Sequence, residues 1–232
     1  AYPLEAVKTN VLGSAHVLES ALRRRVKKVV CLSTDKACYP TSAMGATKSL
    51  MEKEALRAGE RGGETVVNVT RFGNLVASRG SVVPLFREQL ERRGEITVTD
   101  PEMTRFLMTV EEAVELVLRA LILGGPGELF VAKAKAAAVG ELARAVMACL
   151  GVSGTIRVTG ARAGEKRHET LLLAEEDAAA QDCGGFFRVA VPAIPASEPG
   201  KPYRSCDGAR FTLRELTELI RAALARPAEW DE

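Results

Sequence analysis

Long apolar runs are missing from this sequence. None approaches the ~18 to 20 residues of a membrane span, and no signal-peptide pattern is visible. An excess of one charge is missing too: 32 basic and 30 acidic residues leave a formal net charge of +2. That balance removes the usual reason to expect a nucleic-acid or membrane-surface partner, though not an anionic small molecule held by a few arginines. There is no CxxC pair. The five cysteines, at 31, 38, 149, 183 and 206, are odd in number and widely spaced, so a metal site is not expected. Reduced thiols in a cytoplasmic compartment are. Repeats and low-complexity tracts are absent. What is present is a chain of 232 residues, 47% of them apolar, enough for one α/β domain with a small lobe or for two modest domains. It begins at Ala1 and enters a helical pattern at once, from which a start further upstream is expected.

Apolar residues on one stripe (Leu4, Val7, Val11, Ala15, Leu18, Leu22) predict a helix over 4–25. The β-branched run 26–32 then suits a buried parallel strand. Further helices are expected at 44–60, 82–92, 110–123, 139–150 and 212–225, with strands at 65–70, 128–132 and 154–158. The proline-rich stretch 191–203 reads as a loop. This alternation of strand and helix implies an α/β fold with a doubly wound parallel sheet.

In such sheets, ligands bind beyond the carboxyl ends of the strands. The first clear strand runs into Ser33-Thr34-Asp35-Lys36, and Met44-Gly45-Ala46-Thr47-Lys48 opens the next helix. Met44 and Lys48, four apart, share one helix face, and Thr34, Asp35 and Lys36 are candidates for the other side of the same cleft. Spacing alone leaves the plainer readings open: a solvated Asp-Lys turn, a surface lysine, and a methionine that fills core space.

The stretch STDKACYPTSAMGATKSLMEKE resembles the active-site segment of extended short-chain dehydrogenases/reductases, in the branch of UDP-N-acetylglucosamine 4,6-dehydratases. Most short-chain dehydrogenases carry tyrosine where this chain has Met44, and dehydratases of capsule and O-antigen pathways often carry methionine. The segment Glu5 to Val11 resembles the helix that supplies the cofactor-side Asn10. Arg71-Phe72-Gly73-Asn74 and Ser78-Arg79-Gly80-Ser81-Val82-Val83-Pro84 are similar to the following substrate loop. Thr97 to Phe106, with Met103 and Arg105, resembles the uridine and diphosphate segment. Arg162-Ala163-Gly164-Glu165-Lys166 resembles an R-P/H-G-E-K element, with Ala163 as a departure. His168 to Leu172 and Tyr203-Arg204-Ser205 are similar to the C5-inverting branch.

The resemblance implies a Rossmann-like sheet over 1–80 and, over 81–232, mainly a smaller C-terminal α/β substrate-binding lobe, some of whose segments return to the sheet. It implies internal redox on a UDP-activated N-acetyl sugar, with NADP (or NAD) as hydride carrier, yielding a 4-keto-6-deoxy sugar inverted at C5. Asp35 is then the general acid for the leaving C6 hydroxyl. Lys36 is the base at C5, which requires burial or nearby Lys48 to lower its pKa. Lys48 holds the nicotinamide ribose and Thr34 bonds near O4, while Met44 has no proton to give. Asn10, Ser33, Lys48, Arg71 and Phe72 fall on the cofactor side. Asn74, Arg79, Ser81, Val82, Thr97, Met103, Arg105, Arg162 and Glu165 fall on the substrate side, with Arg105 foremost for the diphosphate and Glu165 for the ribose hydroxyls. His168 is expected to be structural. Asn68-Val69-Thr70 fits a glycosylation sequon inside an expected buried strand, so it is discounted. No metal is implied, and a homo-oligomer paired through helices 4–25 and 44–60 is.

The G-x-G-x-x-G turn that holds a dinucleotide pyrophosphate is absent. By resemblance, roughly the first hundred residues of the family precede this chain, carrying that turn. Tight cofactor binding by the chain alone is therefore not expected. A retaining UDP-sugar 4,6-dehydratase, a 4-epimerase, and an inactive remnant that binds a UDP-sugar or pairs with related subunits are the competing readings.

Overall fold

The computed structural model describes residues 2–61, 63–78, 80–190 and 200–225. Along the chain run α1 (Pro3–Ala6), a π-helical stretch (Val7–Gly13), α2 (Ser14–Arg23), β1 (Lys28–Thr34), a 3-10 turn (Asp35–Ala37) and α3 (Ala43–Glu60). Next come β2 (Val66–Phe72), β3 (Asn74–Leu75), α4 (Val82–Arg93), β4 (Glu95–Val98), β5 (Thr104–Met108), α5 (Val110–Leu123) and β6 (Glu128–Ala132). They are followed by β7 (Ala136–Ala138), α6 (Val139–Leu150), β8 (Thr155–Val158), β9 (Thr170–Leu172) and α7 (Ala174–Asp177). The last elements are β10 (Ala180–Asp182), β11 (Phe186–Ala190), β12 (Tyr203–Arg204) and α8 (Leu213–Leu224).

These elements form two compact units, one built from 1–73, 111–133 and 169–204, the other from 74–110, 134–168 and 205–232. The first unit carries a five-stranded sheet in the order β1-β2-β6-β11-β10. β1, β2 and β6 are parallel, while β11 and β10 add antiparallel strands at one side. Val67 and Val69 of β2 and Leu129, Phe130 and Val131 of β6 are fully buried, as apolar runs covered on both sheet faces require. β9 and β12 make a separate antiparallel pair in the same unit. The α/β class with a parallel sheet thus agrees with the sequence reading, and the antiparallel strands are an addition to it.

The second unit has a three-stranded sheet, β3-β5-β7, and a parallel pair, β4-β8. α4, α6 and α8 contribute Val83, Phe86, Leu90, Leu142, Val146, Leu216 and Ile220 to one core with Ile96 and Leu107. α8 is held at its start by a capping box between Thr212 and Glu215. α4 and α6 both stop on glycines in the left-handed region, Gly94 and Gly151.

Two expectations are revised. The helix over 4–25 is not uniform: it widens into π turns around Asn10, and Leu4 and Val7 of the expected stripe are exposed while Leu18 is buried. In the stretch 191–203, Tyr203 belongs to β12, paired with Leu172, and 191–199 lie outside the described residues. Asn68 of the sequon is fully buried and donates to the Ala120 carbonyl at 3.1 Å. No helix among the described residues is long and apolar enough to cross a membrane.

Candidate active site

In the first unit the carboxyl ends of β1 and β2 lie in register, pairing Ser33 with Arg71 and Thr34 with Phe72. Where β1 ends, Thr34 caps a single 3-10 turn that carries Asp35 and Lys36. The Thr34 hydroxyl donates to Asp35 Oδ1 at 2.9 Å, and Lys36 Nζ pairs with the same oxygen at 2.7 Å. The Asp35 side chain is wholly buried and that of Lys36 is 29% exposed, so the carboxyl is shielded while the amine can meet a ligand. Burial pushes the Asp35 carboxyl above the usual carboxylate value; Lys36 opposes the shift and the charge of Glu169 adds to it.

α3 begins beside this turn. Ser42 caps it by accepting the Gly45 N–H at 3.1 Å. Gly45 itself stands against the Lys36 carbonyl: a Cβ there would overlap that oxygen and press on Pro40 Cβ at 3.3 Å. This close approach sets the start of α3 against the Asp35–Lys36 turn. Gly45→Ala is expected to displace the Lys36 carbonyl and with it the turn. Displacements of that size cost about 100-fold in turnover, so steady-state kinetics together with a lowered melting temperature test it.

Met44 is 41% exposed. Lys48 Nζ donates to the Leu32 carbonyl of β1 at 2.9 Å. Its ammonium is held below the ordinary lysine value by burial, against the opposing pull of Cys31 and Glu52. Thr47 turns inward, donating back to the Ala43 and Met44 carbonyls and accepting from Asn10 Nδ2 at 3.0 Å. The π turns thus sit where Asn10 reaches across to α3, and π segments of this kind recur at functional sites. Ser33 Oγ is buried and has no hydrogen-bond partner among the described residues.

Arg71 has a different setting from the one expected. It is 2% exposed, and all five of its N–H donors are engaged. Two go to Glu52, two to Glu176 and one to the Leu171 carbonyl, at 2.7 to 3.0 Å. Burial works against the guanidinium charge, but Glu52 and Glu176 hold it well above the ordinary arginine value. Its side chain has no donor left for a cofactor; any contact with one falls to its backbone.

The second unit gathers four of the sequence-derived substrate residues. Arg105, 14% exposed, donates to the Thr104 and Arg167 carbonyls at 2.8 and 3.2 Å, and its Nη2 lies 3.7 Å from Glu165 Oε1. Met103 Sδ lies 3.4 Å from the same Nη2. Glu165 accepts from Thr99 Oγ1 and from the Arg162 backbone N–H, both at 3.2 Å, closing the 162–165 turn. Thr97 is bonded twice to Gln89, at 2.8 and 2.9 Å. Asn74 starts β3, Ser81 stands at the N-cap of α4 with its hydroxyl making no cap bond, and Val82 is the first residue of that helix. Arg79 lies outside the described residues. His168 Nδ1 is 2.8 Å from Thr104 Oγ1, which is 2.6 Å from Ser205 Oγ, a network that fixes β5 in place.

Glu52, Thr47, Glu169, Glu176 and Gln89 escaped the sequence reading. Glu52 was within reach, since it lies one turn beyond Lys48 on the same helix face. Glu176 meets Arg71 only through the tertiary fold.

The sequence pattern of the polysaccharide biosynthesis protein family matches residues 1–191. A UDP-glucose 4-epimerase of Rickettsia typhi is 43% identical over 233 residues, covering 94% of this chain and 68% of the relative. The UDP-glucose 4-epimerase of Rickettsia prowazekii is 49% identical over 190 residues, covering 81% of this chain and 56% of the relative. Among solved structures, the X-ray structure of Pen from Bacillus thuringiensis superposes with a TM-score of 0.86 at 34% identity, over 94% of this chain and 68% of the other. The dTDP-glucose 4,6-dehydratase of Bacillus anthracis, in complex with NAD, gives 0.62 at 18% identity, over 71% and 59% of the two chains. At that identity the likeness concerns the fold alone.

Proposed function

The chain belongs to the polysaccharide biosynthesis protein family, and from that premise we propose that it is the chemical and substrate-binding part of a nucleotide-sugar 4,6-dehydratase. The reading takes UDP-N-acetylglucosamine to a UDP-4-keto-6-deoxy-N-acetylhexosamine with inversion at C5. The observation that carries it is the Asp35–Lys36 pair at 2.7 Å, with a buried carboxyl and a partly exposed amine, beside a methionine that has no proton to transfer.

Elimination across C5 and C6 needs a base for the C5 proton and an acid for the departing C6 hydroxyl. Moving one proton from Lys36 to Asp35 creates both at once, a neutral amine and a carboxylic acid. Burial of Asp35 brings that state closer in energy to the ion pair, because it disfavours the carboxylate. Lys36 then removes the C5 proton, Asp35 protonates the leaving hydroxyl, and water departs. Thr34 orients the acid through its 2.9 Å bond.

A nicotinamide nucleotide, NADP with NAD as the alternative, would supply the acceptor for hydride from C4, which leaves the ketone that makes C5 acidic, and the hydride returned to C6 after water is lost. Ser33, whose buried hydroxyl has no partner among the described residues, fits such a ligand, as do Asn10, Lys48 and Phe72 on the neighbouring elements. In the second unit, Arg105 is the cation for the diphosphate. It is held by two carbonyls and offset by Glu165, so it is oriented before the ligand arrives. Arg105→Ala is expected to weaken UDP binding about 10- to 100-fold, the range for a charge-assisted hydrogen bond, measured by calorimetry with UDP alone.

A 4-epimerase is the second reading, favoured by the names of the Rickettsia relatives. The deciding experiment supplies UDP-N-acetylglucosamine and NADP⁺ and follows the sugar by NMR. A 4-keto-6-deoxy product inverted at C5 supports the proposal, and the same product with C5 retained points to a retaining dehydratase. A 4-epimer without loss of water overturns both. UDP-sugar binding without turnover shows that the substrate half works without the cofactor segment, and it supports the reading of an inactive UDP-sugar-binding remnant if it persists when that segment is supplied.

A further inference from the structure

We propose that Ser205 is a positioning residue for Arg105, acting through the Thr104 carbonyl, and that His168 Nδ1 supplies the proton this arrangement needs. The inference rests on Arg105 being the cation for the diphosphate. Arg105 Nη1 donates to two backbone carbonyls, that of Thr104 at 2.8 Å and that of Arg167 at 3.2 Å. Both carbonyls are themselves held. The Thr104 N–H donates to the Arg167 carbonyl at 2.9 Å, and the Ser205 hydroxyl donates to the Thr104 carbonyl at 3.1 Å. Ser205 is fully buried and Thr104 is 1% exposed, so solvent does not compete for these groups. The guanidinium plane is therefore set by two acceptors, and one of them is fixed in turn by Ser205.

Counting protons gives the network a direction. Three contacts make it up: Ser205 Oγ to the Thr104 carbonyl, Ser205 Oγ to Thr104 Oγ1 at 2.6 Å, and Thr104 Oγ1 to His168 Nδ1 at 2.8 Å. A carbonyl only accepts, and each hydroxyl has one proton to give. Ser205 spends its proton on the carbonyl, so the Thr104 hydroxyl must donate to Ser205 Oγ. The third contact is then a bond only if His168 Nδ1 carries a proton and donates it to Thr104 Oγ1. With Nδ1 bare, Thr104 would turn its proton to the ring and Ser205 would turn its own to Thr104 Oγ1. The carbonyl that orients Arg105 would then lose its second donor.

The test is a double-mutant cycle read by calorimetry with UDP alone, on wild type, Ser205→Ala, Arg105→Ala and the double variant. Ser205→Ala is expected to weaken UDP binding about 3- to 10-fold, the span of one neutral hydrogen bond. In the Arg105→Ala background the same substitution should change nothing, because the group it positions is gone. An equal loss in both backgrounds makes Ser205 a structural residue and overturns the inference. So does a Ser205→Ala variant that binds UDP as wild type does while Arg105→Ala binds it weakly. Unchanged binding in Arg105→Ala removes the reading of Arg105 as the diphosphate cation, and the inference with it. Should Ser205→Ala fail to fold, Ser205→Cys, a weak donor of similar size, replaces it with the same expectations. The proton is read separately by nitrogen NMR at alkaline pH in His16→Gln, where His168 is the single histidine. A protonated Nδ1 supports the network, and a bare one overturns it.

Discussion

Arg71→Leu is expected to lose about 3–5 kcal/mol of stability, the cost of leaving buried charges without their partner. Arg71 is 2% exposed and meets Glu52 and Glu176, whose side chains are 6% and 13% exposed. Without the guanidinium, both carboxylates must find water or protons inside the first unit. Domains of this size carry only about 5–15 kcal/mol in total, so the variant should unfold at markedly lower denaturant concentration. Arg71→Lys should recover little, because an ammonium offers three donors where the site uses a planar set of five. Replacing all three charged residues with apolar ones of similar volume should recover much of the loss, since well-packed apolar groups can match a buried ion cluster. Urea unfolding of the three variants tests this. A single Arg71→Leu variant as stable as wild type would show that the cluster is not what joins β2, α3 and α7.

The second large effect runs in opposite directions for activity and stability. Asp35→Asn removes the proposed acid and should lower turnover by about 10²- to 10⁴-fold, the usual contribution of a positioned proton donor. Its effect on stability follows from linkage. Asp35 has a folded-state value above the ordinary carboxylate value, so between those two values the native state holds a proton that the unfolded state has released. Native stability therefore falls as pH rises through that window, and above it the buried carboxylate is a standing cost. Asparagine carries no such cost, and Lys36, 29% exposed, can hydrate its ammonium when the carboxylate is gone. The melting temperature of Asp35→Asn relative to wild type should thus improve as pH rises from the acid side to neutrality. An unchanged difference across that range would mean that Asp35 ionises as it does in the unfolded chain. A variant that is slower but more stable is the pattern of a residue kept for chemistry.

Much of the fold was legible because long periodic segments carry their own signal. The apolar spacing of 110–123 and 139–150 gave those helices to the residue, and the run 128–132 gave β6. Short strands were not legible: Asn74–Leu75, Ala136–Ala138 and Tyr203–Arg204 are too brief to show a period and exist only because a partner strand pairs with them. The π turns at Val7–Gly13 were hidden as well, since the stripe was read at 3.6 residues per turn throughout and residue type carries no signal for a wider turn.

The site divides along the same line. Asp35, Lys36, Met44 and Lys48 are close in sequence, on one strand end and one helix start, so their elements were legible, while spacing alone left the plainer readings of each open. The setting of the Arg71 side chain was not legible, because its partners stand 19 and 105 residues away. By itself, then, the sequence determined on which elements the candidate residues stand, Asp35 and Lys36 after a strand end and Met44 and Lys48 at a helix start, since strand end and helix start follow from local propensity and capping. Only the tertiary structure decided which of those charges are buried and against what, because burial and long-range pairing set both the upward shift of the Asp35 carboxyl and the confinement of Arg71.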